Sequence, residues 1–165
     1  MKRAAFFALF LLLGSACFGP DPNRTASGAG LPAFEIDFPA EAPAGSIQTM
    51  SLTVTNPGPE PISSVVVAFA RVGPSAGGGE LPAPIVDGGF KGRNAAIKAI
   101  RPEPREISQS ATEFFFDSLP EGESMTLEFD LVIPDVSGEA ANSVTVYDGS
   151  DPDRIRGARL STSVP

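Results

Sequence analysis

The chain has 165 residues, a net charge of −8 and 42% hydrophobic residues, so it is long enough for one real core and too apolar to be disordered by composition. It contains no His, no Trp and one Cys. That removes any Ser-His-Asp or Cys-His catalytic site, any intramolecular disulfide and any cysteine-based zinc site, and the acidic balance disfavours binding to phosphate backbones.

The first residues divide sharply. Lys2-Arg3 is a short basic start, and Ala4 to Leu13 is an unbroken apolar run. A membrane span needs about 20 such residues, so this run reads as the hydrophobic part of a signal peptide. Gly14-Ser15-Ala16-Cys17 follows it. Residues 18–31 have no apolar period and are rich in Gly, Pro and small polar residues, the composition of a flexible tether. The expected organisation is a signal peptide over 1–16, a tether over 17–31 and one domain over 32–165. Removing the signal peptide takes Lys2 and Arg3 with it and leaves a balance of −10.

In the domain, apolar and polar residues alternate repeatedly. Phe34, Ile36 and Phe38 predict a first strand, and Met50, Leu52 and Val54 predict a second over Ile47–Asn56. Asn56-Pro57-Gly58-Pro59 stops it, because proline cannot donate to a ladder and glycine tolerates positive φ. Ile62–Arg71 is a third, β-branched run. Gly73–Asn94 is a long Gly- and Pro-rich loop that includes Gly77-Gly78-Gly79, the segment expected to be nicked first by proteases.

Ala96–Arg101 reads as a short strand, followed by a break at Pro102 and Pro104. Glu106–Asp117 resumes the pattern and carries Phe114-Phe115-Phe116, which puts apolar groups on both faces. After the turn Leu119–Ser124 comes the cleanest strand. Met125, Leu127, Phe129, Leu131 and Ile133 point one way, with Thr126, Glu128 and Asp130 opposite. Asn142–Tyr147 and Gly157–Val164 close the series. No amphipathic helix is expected after residue 17. The fold class is therefore all-β, an Ig-like antiparallel β-sandwich of seven to eight strands.

Two resemblances add to this reading. Gly14-Ser15-Ala16-Cys17 resembles the lipobox of bacterial lipoproteins, although Gly14 stands where Leu is usual. The resemblance implies a lipid on Cys17, anchoring to a membrane and a domain on the outer side of the bacterial cell envelope. Phe18 stands where some Gram-negative family members carry an inner-membrane Asp, which for such a source implies the outer membrane. An ordinary secretory signal, leaving Cys17 as a free thiol, is the competing reading. Second, Thr53-Val54-Thr55-Asn56-Pro57-Gly58, Leu119–Ser124 and Ala141–Val146 resemble, in order and spacing, bacterial Ig-like surface repeats, including a repeat of unknown function and the CARDB domains. That family implies structural, adhesive or carbohydrate-associated roles and brings no catalytic residues.

The candidate sites are few. Asp148, Asp151 and Asp153 place three carboxylates in six residues, enough oxygen to consider calcium, although the spacing is not that of an EF-hand. A solvated turn, neutralised by Arg154, Arg156 and Arg159, is the plainer alternative. Arg101 and Arg105 flank Pro102-Glu103-Pro104 and read as a solvated rim. Phe90, Lys91 and Arg93 on the long loop are the ligand-contact candidates, against the alternative of a merely mobile loop. The function expected is non-catalytic: a lipid-anchored binding or structural module with a protein or glycan partner and no nucleic acid. The alternatives are an accessory subunit of an envelope complex and a calcium-dependent adhesion domain.

Overall fold

A computed structural model describes residues 31–70, 97–109, 112–135 and 137–165. Nine strands lie among them: β1 (Ala33–Asp37), β2 (Ile47–Thr55), β3 (Val65–Phe69), β4 (Ile97–Arg101), β5 (Glu106–Ile107), β6 (Glu113–Phe115), β7 (Ser124–Val132), β8 (Gly138–Asp148) and β9 (Asp151–Val164). They form two antiparallel sheets, ordered β1-β2-β7-β4 and β5-β6-β3-β8-β9. The expected Ig-like antiparallel sandwich is what the chain forms, with more strands than the seven to eight foreseen. The extra strand arises because the Glu106–Asp117 run folds back on itself, so that β5 pairs β6 as a hairpin.

The alternation read in the sequence sets the two inner faces. On β2, Met50, Leu52 and Val54 are fully buried, and on β7 Phe129, Leu127 and Met125 lie across from them in direct register. β3 supplies Val65, Val67 and Phe69 from the opposite sheet. At the centre Phe129 meets Phe69, Phe114 and Phe116 edge-to-face, with ring centroids 5.5, 5.7 and 6.2 Å away. That geometry sets positive ring edges against negative faces and adds about 0.5–1.5 kcal/mol per pair to plain burial. A register shift in β4 between Ile97 and Ala99 turns both Ile97 and Ile100 toward the core. The third phenylalanine of the triplet, Phe115, is half-buried on the other face, where it pairs with the fully buried Val66. The triplet thus covers two faces, as its spacing foretold.

Asn56-Pro57-Gly58-Pro59 is more than a strand stop. β2 and β3 lie in different sheets, so the segment between them carries the chain across the sandwich. Asn56 is fully buried there. Its side-chain amide donates to the carbonyls of Glu60 and Leu119, each at 2.9 Å, and its Oδ1 accepts from the Gly58 N–H at 3.0 Å. Its backbone bonds Glu123 and Gly122 in the turn before β7. Gly58 has φ 78°, a left-handed conformation that any side chain resists, and a Cβ there would collide with Glu121. One buried amide therefore ties three segments together, each of its polar atoms satisfied.

Candidate functional site

The β8–β9 hairpin holds most of the chemistry the sequence singled out. It turns at Gly149-Ser150, and its register shifts between Tyr147 and Asp148, so that β9 begins with an irregular stretch before Ile155 pairs with Tyr147. Residues that read as a turn, Asp151-Pro152-Asp153, are instead the start of a 14-residue strand. Of the three, Asp151 pairs with β8, opposite Asp148, and the regular ladder resumes at Ile155.

Asp148 is 2% exposed. Its Oδ1 accepts from the Ser63 hydroxyl at 2.6 Å, the Ser63 N–H at 3.2 Å, the Ser150 N–H at 3.0 Å and the Ser150 hydroxyl at 3.1 Å. Its Oδ2 faces the Arg154 guanidinium at 3.1 Å. Burial pushes this carboxyl's pKa up, but the bonds from Ser63 and Ser150 together outweigh it and hold it below the ordinary carboxylate value. Asp151 and Asp153 are exposed, and Asp151 Oδ1 accepts the Asp153 N–H at 3.2 Å. The three carboxylates do not converge. Asp148 points inward onto serines and an arginine, while the other two face solvent. Among the described residues no group of three or more His, Cys, Asp or Glu side chains could hold a metal ion.

The arginines sort differently from the expected neutralising set. Arg154 binds Asp148, and Arg159 reaches Glu139 on β8 at 2.9 Å. Arg156 lies on the core-facing side, paired in register with the buried Val146, and its buried Nε has no hydrogen-bond partner among the described residues. On the opposite sheet, Arg101 is no mere rim. Its Nε binds Glu128 at 2.8 Å and its two terminal nitrogens straddle Asp130 at 2.9 and 2.8 Å. The Arg101 hydrogen bond pulls the Asp130 carboxyl down, with help from Thr49, and Asp130 in turn pushes the Arg101 guanidinium further up. Arg105 pairs with Asp117, both widely exposed. On the outer face of the second sheet, the Tyr147 hydroxyl donates to Glu113 at 2.8 Å, and burial followed by that bond pushes its pKa up to about 12.

Two further surfaces are exposed. Between β4 and β5 lies a groove of ≈ 280 Å³, lined mainly by Ile97, Ile100, Pro104 and Ile107. The other is the outer edge of β9. Ser163 on that edge is tied to the segment after β1: its N–H donates to Ala40 and its carbonyl accepts from Ala42, both at 2.9 Å. Nothing else among the described residues bonds the outer edge of β9. Neither surface was visible in the sequence, because both depend on which strands end up at sheet edges. Cys17, Phe90, Lys91 and Arg93, together with the signal peptide and most of the tether and long loop, lie outside the described residues.

No protein-family model and no curated protein matches the chain. Solved structures resemble it at low identity. The CARDB domain of the PF1109 protein from Pyrococcus furiosus, in complex with di-metal ions, is 16% identical with a TM-score of 0.47, over 84% of this chain and 95% of that one. The ASH / PapD-like domain 7 of human CEP192 is 15% identical with a TM-score of 0.42, over 99% and 98%. AvmM, described as catalysing macrocyclisation in alchivemycin A biosynthesis, is 14% identical with a TM-score of 0.42, over 81% and 87%. The sandwich itself rests on the two sheets and their registers.

Proposed function

We propose that this chain is a non-catalytic binding or structural module of the bacterial cell envelope, held on a membrane by a lipid on Cys17. The observation that supports it best is how the sandwich uses its buried polar groups. Asn56 and Asp148 are deeply buried, and both are spent on internal hydrogen bonds that close one end of the fold. Neither side chain lines the groove between β4 and β5. What the domain offers outward is surface, namely sheet faces, edges and a shallow groove. The order basic pair, apolar run, small residues, Cys17 and tether supports the anchor. One acyl chain binds a membrane only reversibly, whereas the diacylglyceryl group of lipoproteins supplies a second.

Mass spectrometry of the mature amino terminus tests the anchor. The expected product begins at a lipid-modified Cys17, and Cys17→Ser leaves the domain folded but unlipidated. An unmodified terminus overturns the anchored reading in favour of secretion. The subunit version of this function is favoured by the edge of β9, most of which has no backbone partner among the described residues. Purification from detergent-solubilised membranes is expected to retain a stoichiometric protein partner, and recovery of the chain alone would argue for a self-standing module.

A further inference from the structure

β9 is a 14-residue strand at the edge of its sheet. A strand turns both backbone groups of a residue to the same side and alternates from residue to residue. Ser163 turns its groups outward, to Ala40 and Ala42. Ser161, Arg159, Gly157 and Ile155 therefore turn theirs outward too, and among the described residues these find no backbone partner. The open run is about 20 Å long, enough to template another strand.

The side chains along this run carry a charge pattern. Arg154, Arg156 and Arg159 fall within six residues of a chain whose net charge is −8, with no acid among them. Arg154 and Arg159 have acidic partners, Asp148 and Glu139. Arg156 has none among the described residues, and its buried Nε lacks any hydrogen bond. A buried, unpaired guanidinium nitrogen costs free energy, so a carboxylate delivered beside it gains more than the same ion pair would on an open surface. On the other face Ile155 is 46% exposed, a large apolar side chain beside the same edge.

We propose that the open edge of β9 receives an extended segment of a partner protein by strand addition, with an acidic side chain beside Arg156 and an apolar one beside Ile155. Main-chain bonds to the four outward-turned residues supply affinity, and the alternating side chains supply choice of partner. A second copy of this chain is the poorer occupant, because pairing along the same edge brings a second set of three arginines against the first. The proposal rests on the reading of this chain as a binding module and names the surface it uses.

The test uses the full chain in detergent micelles and two ten-residue synthetic peptides, one alternating Glu and Val, the other alternating Lys and Val. The acidic peptide is expected to bind and the basic one not to, with slowed amide exchange at Ile155, Gly157, Arg159 and Ser161. Arg156→Glu is expected to weaken the acidic peptide by about tenfold or more and to admit the basic one. Arg159→Pro removes an outward N–H that β8 does not use, so the fold survives and binding is lost, whereas Arg159→Ala keeps most of it. No binding at millimolar peptide, equal binding of both peptides, or binding that persists in Arg159→Pro overturns the proposal. A partner that co-purifies from membranes and ignores the β9 variants would overturn it while leaving the module reading intact. An unmodified mature amino terminus would strike the anchored reading instead and leave the β9 edge untouched.

Discussion

Two ion-pair networks sit on opposite sheets and use the same residue types. Asp148 with Arg154 closes the β8–β9 hairpin, with side chains 2% and 15% exposed. Arg101 with Asp130 and Glu128 lies on the outer face of the other sheet, with side chains 49%, 20% and 44% exposed. By geometry alone the Arg101 network is the stronger, because a planar guanidinium straddles one carboxylate and reaches another. Burial reverses the ranking. The open network gains little over hydration and is screened by salt, whereas Asp148 has no water to return to if its partners are removed. Charge contributes here according to where it sits, and the contrast can be broken from either side.

The largest effect is expected from Asp148→Ala. It strands the donors of Ser63 and Ser150 and takes the Asp148 carboxylate away from Arg154, a loss of about 2–4 kcal/mol. For a domain of this size that lowers the melting temperature by about 10 °C. A change of less than about 1 kcal/mol would mean the corner is held by its backbone bonds, such as Gly149 N–H to Ser64 at 2.9 Å. The same residue sets an acid limb. Its folded pKa is lowered, so its contribution is fully present above the unfolded carboxylate value near 4 and is lost as pH falls through the folded value. In denaturant titrations at a series of pH values, the advantage of the wild type over Asp148→Asn is expected to shrink below about pH 4. An advantage that stays constant there would show that Asp148 keeps its proton affinity on folding.

Next in size come two neighbours on β9, which separate a satisfied arginine from an unsatisfied one. Arg154→Ala is expected to cost about 1–3 kcal/mol, because it uncovers the Asp148 carboxylate. Arg156→Leu fills similar space and removes a buried nitrogen that has no hydrogen-bond partner among the described residues, so it is expected to be neutral or to stabilise by about 1 kcal/mol. Chemical denaturation of the two variants decides it. A clear loss of stability in Arg156→Leu would show that the arginine already has a structural partner, and would remove the reason for it to seek an acidic one.

These same residues show what could be read in advance. The faces of β2 and β7 were legible because period-two alternation survives in sequence and register follows from it. The phenylalanine triplet was legible for the same reason. The first half of β9 was not, because Asp, Pro and Gly lower local strand preference, and the pairing of Asp151 with Asp148 and of Ile155 with Tyr147 depends on β8 arriving beside it. Asn56 read as a strand stop, whereas its role depends on Glu60, Leu119 and the Gly122–Glu123 turn arriving beside it, far along the chain. Arg101 read as a rim because its acids lie more than 25 residues away in sequence, on β7. The sheet edges were invisible for a similar reason: an edge belongs to the topology and leaves no local signal.

Calcium gives a smaller effect. Of the three hairpin carboxylates only Asp151 and Asp153 face solvent, and Asp148 is already occupied by hydroxyls and a guanidinium. Millimolar calcium is expected to leave the melting temperature unchanged. A ligand that binds only the native state must raise stability, so a rise of several degrees, abolished in Asp151→Asn, would reinstate the calcium-dependent adhesion reading.

The smallest loss of stability from a substitution is expected at Arg101, and it completes the contrast with Asp148. Removing the guanidinium frees Glu128 and Asp130, but both return to water, and Asp130 keeps the Thr49 hydroxyl at 2.7 Å. Beneath them the β2–β7 register is fixed independently by Met50, Leu52 and Val54 facing Phe129, Leu127 and Met125. Arg101→Ala is therefore expected to move the melting temperature by no more than about 2 °C at low ionic strength, and by less still in molar salt, where the Debye length falls to about 3 Å. The informative outcome is a large, salt-insensitive drop. That would mean the arginine acts through its aliphatic stem, pinning the irregular edge strand β4 against β7 rather than neutralising charge. Comparing Arg101→Met with Arg101→Ala separates the two, since Met keeps an apolar stem and discards the charge.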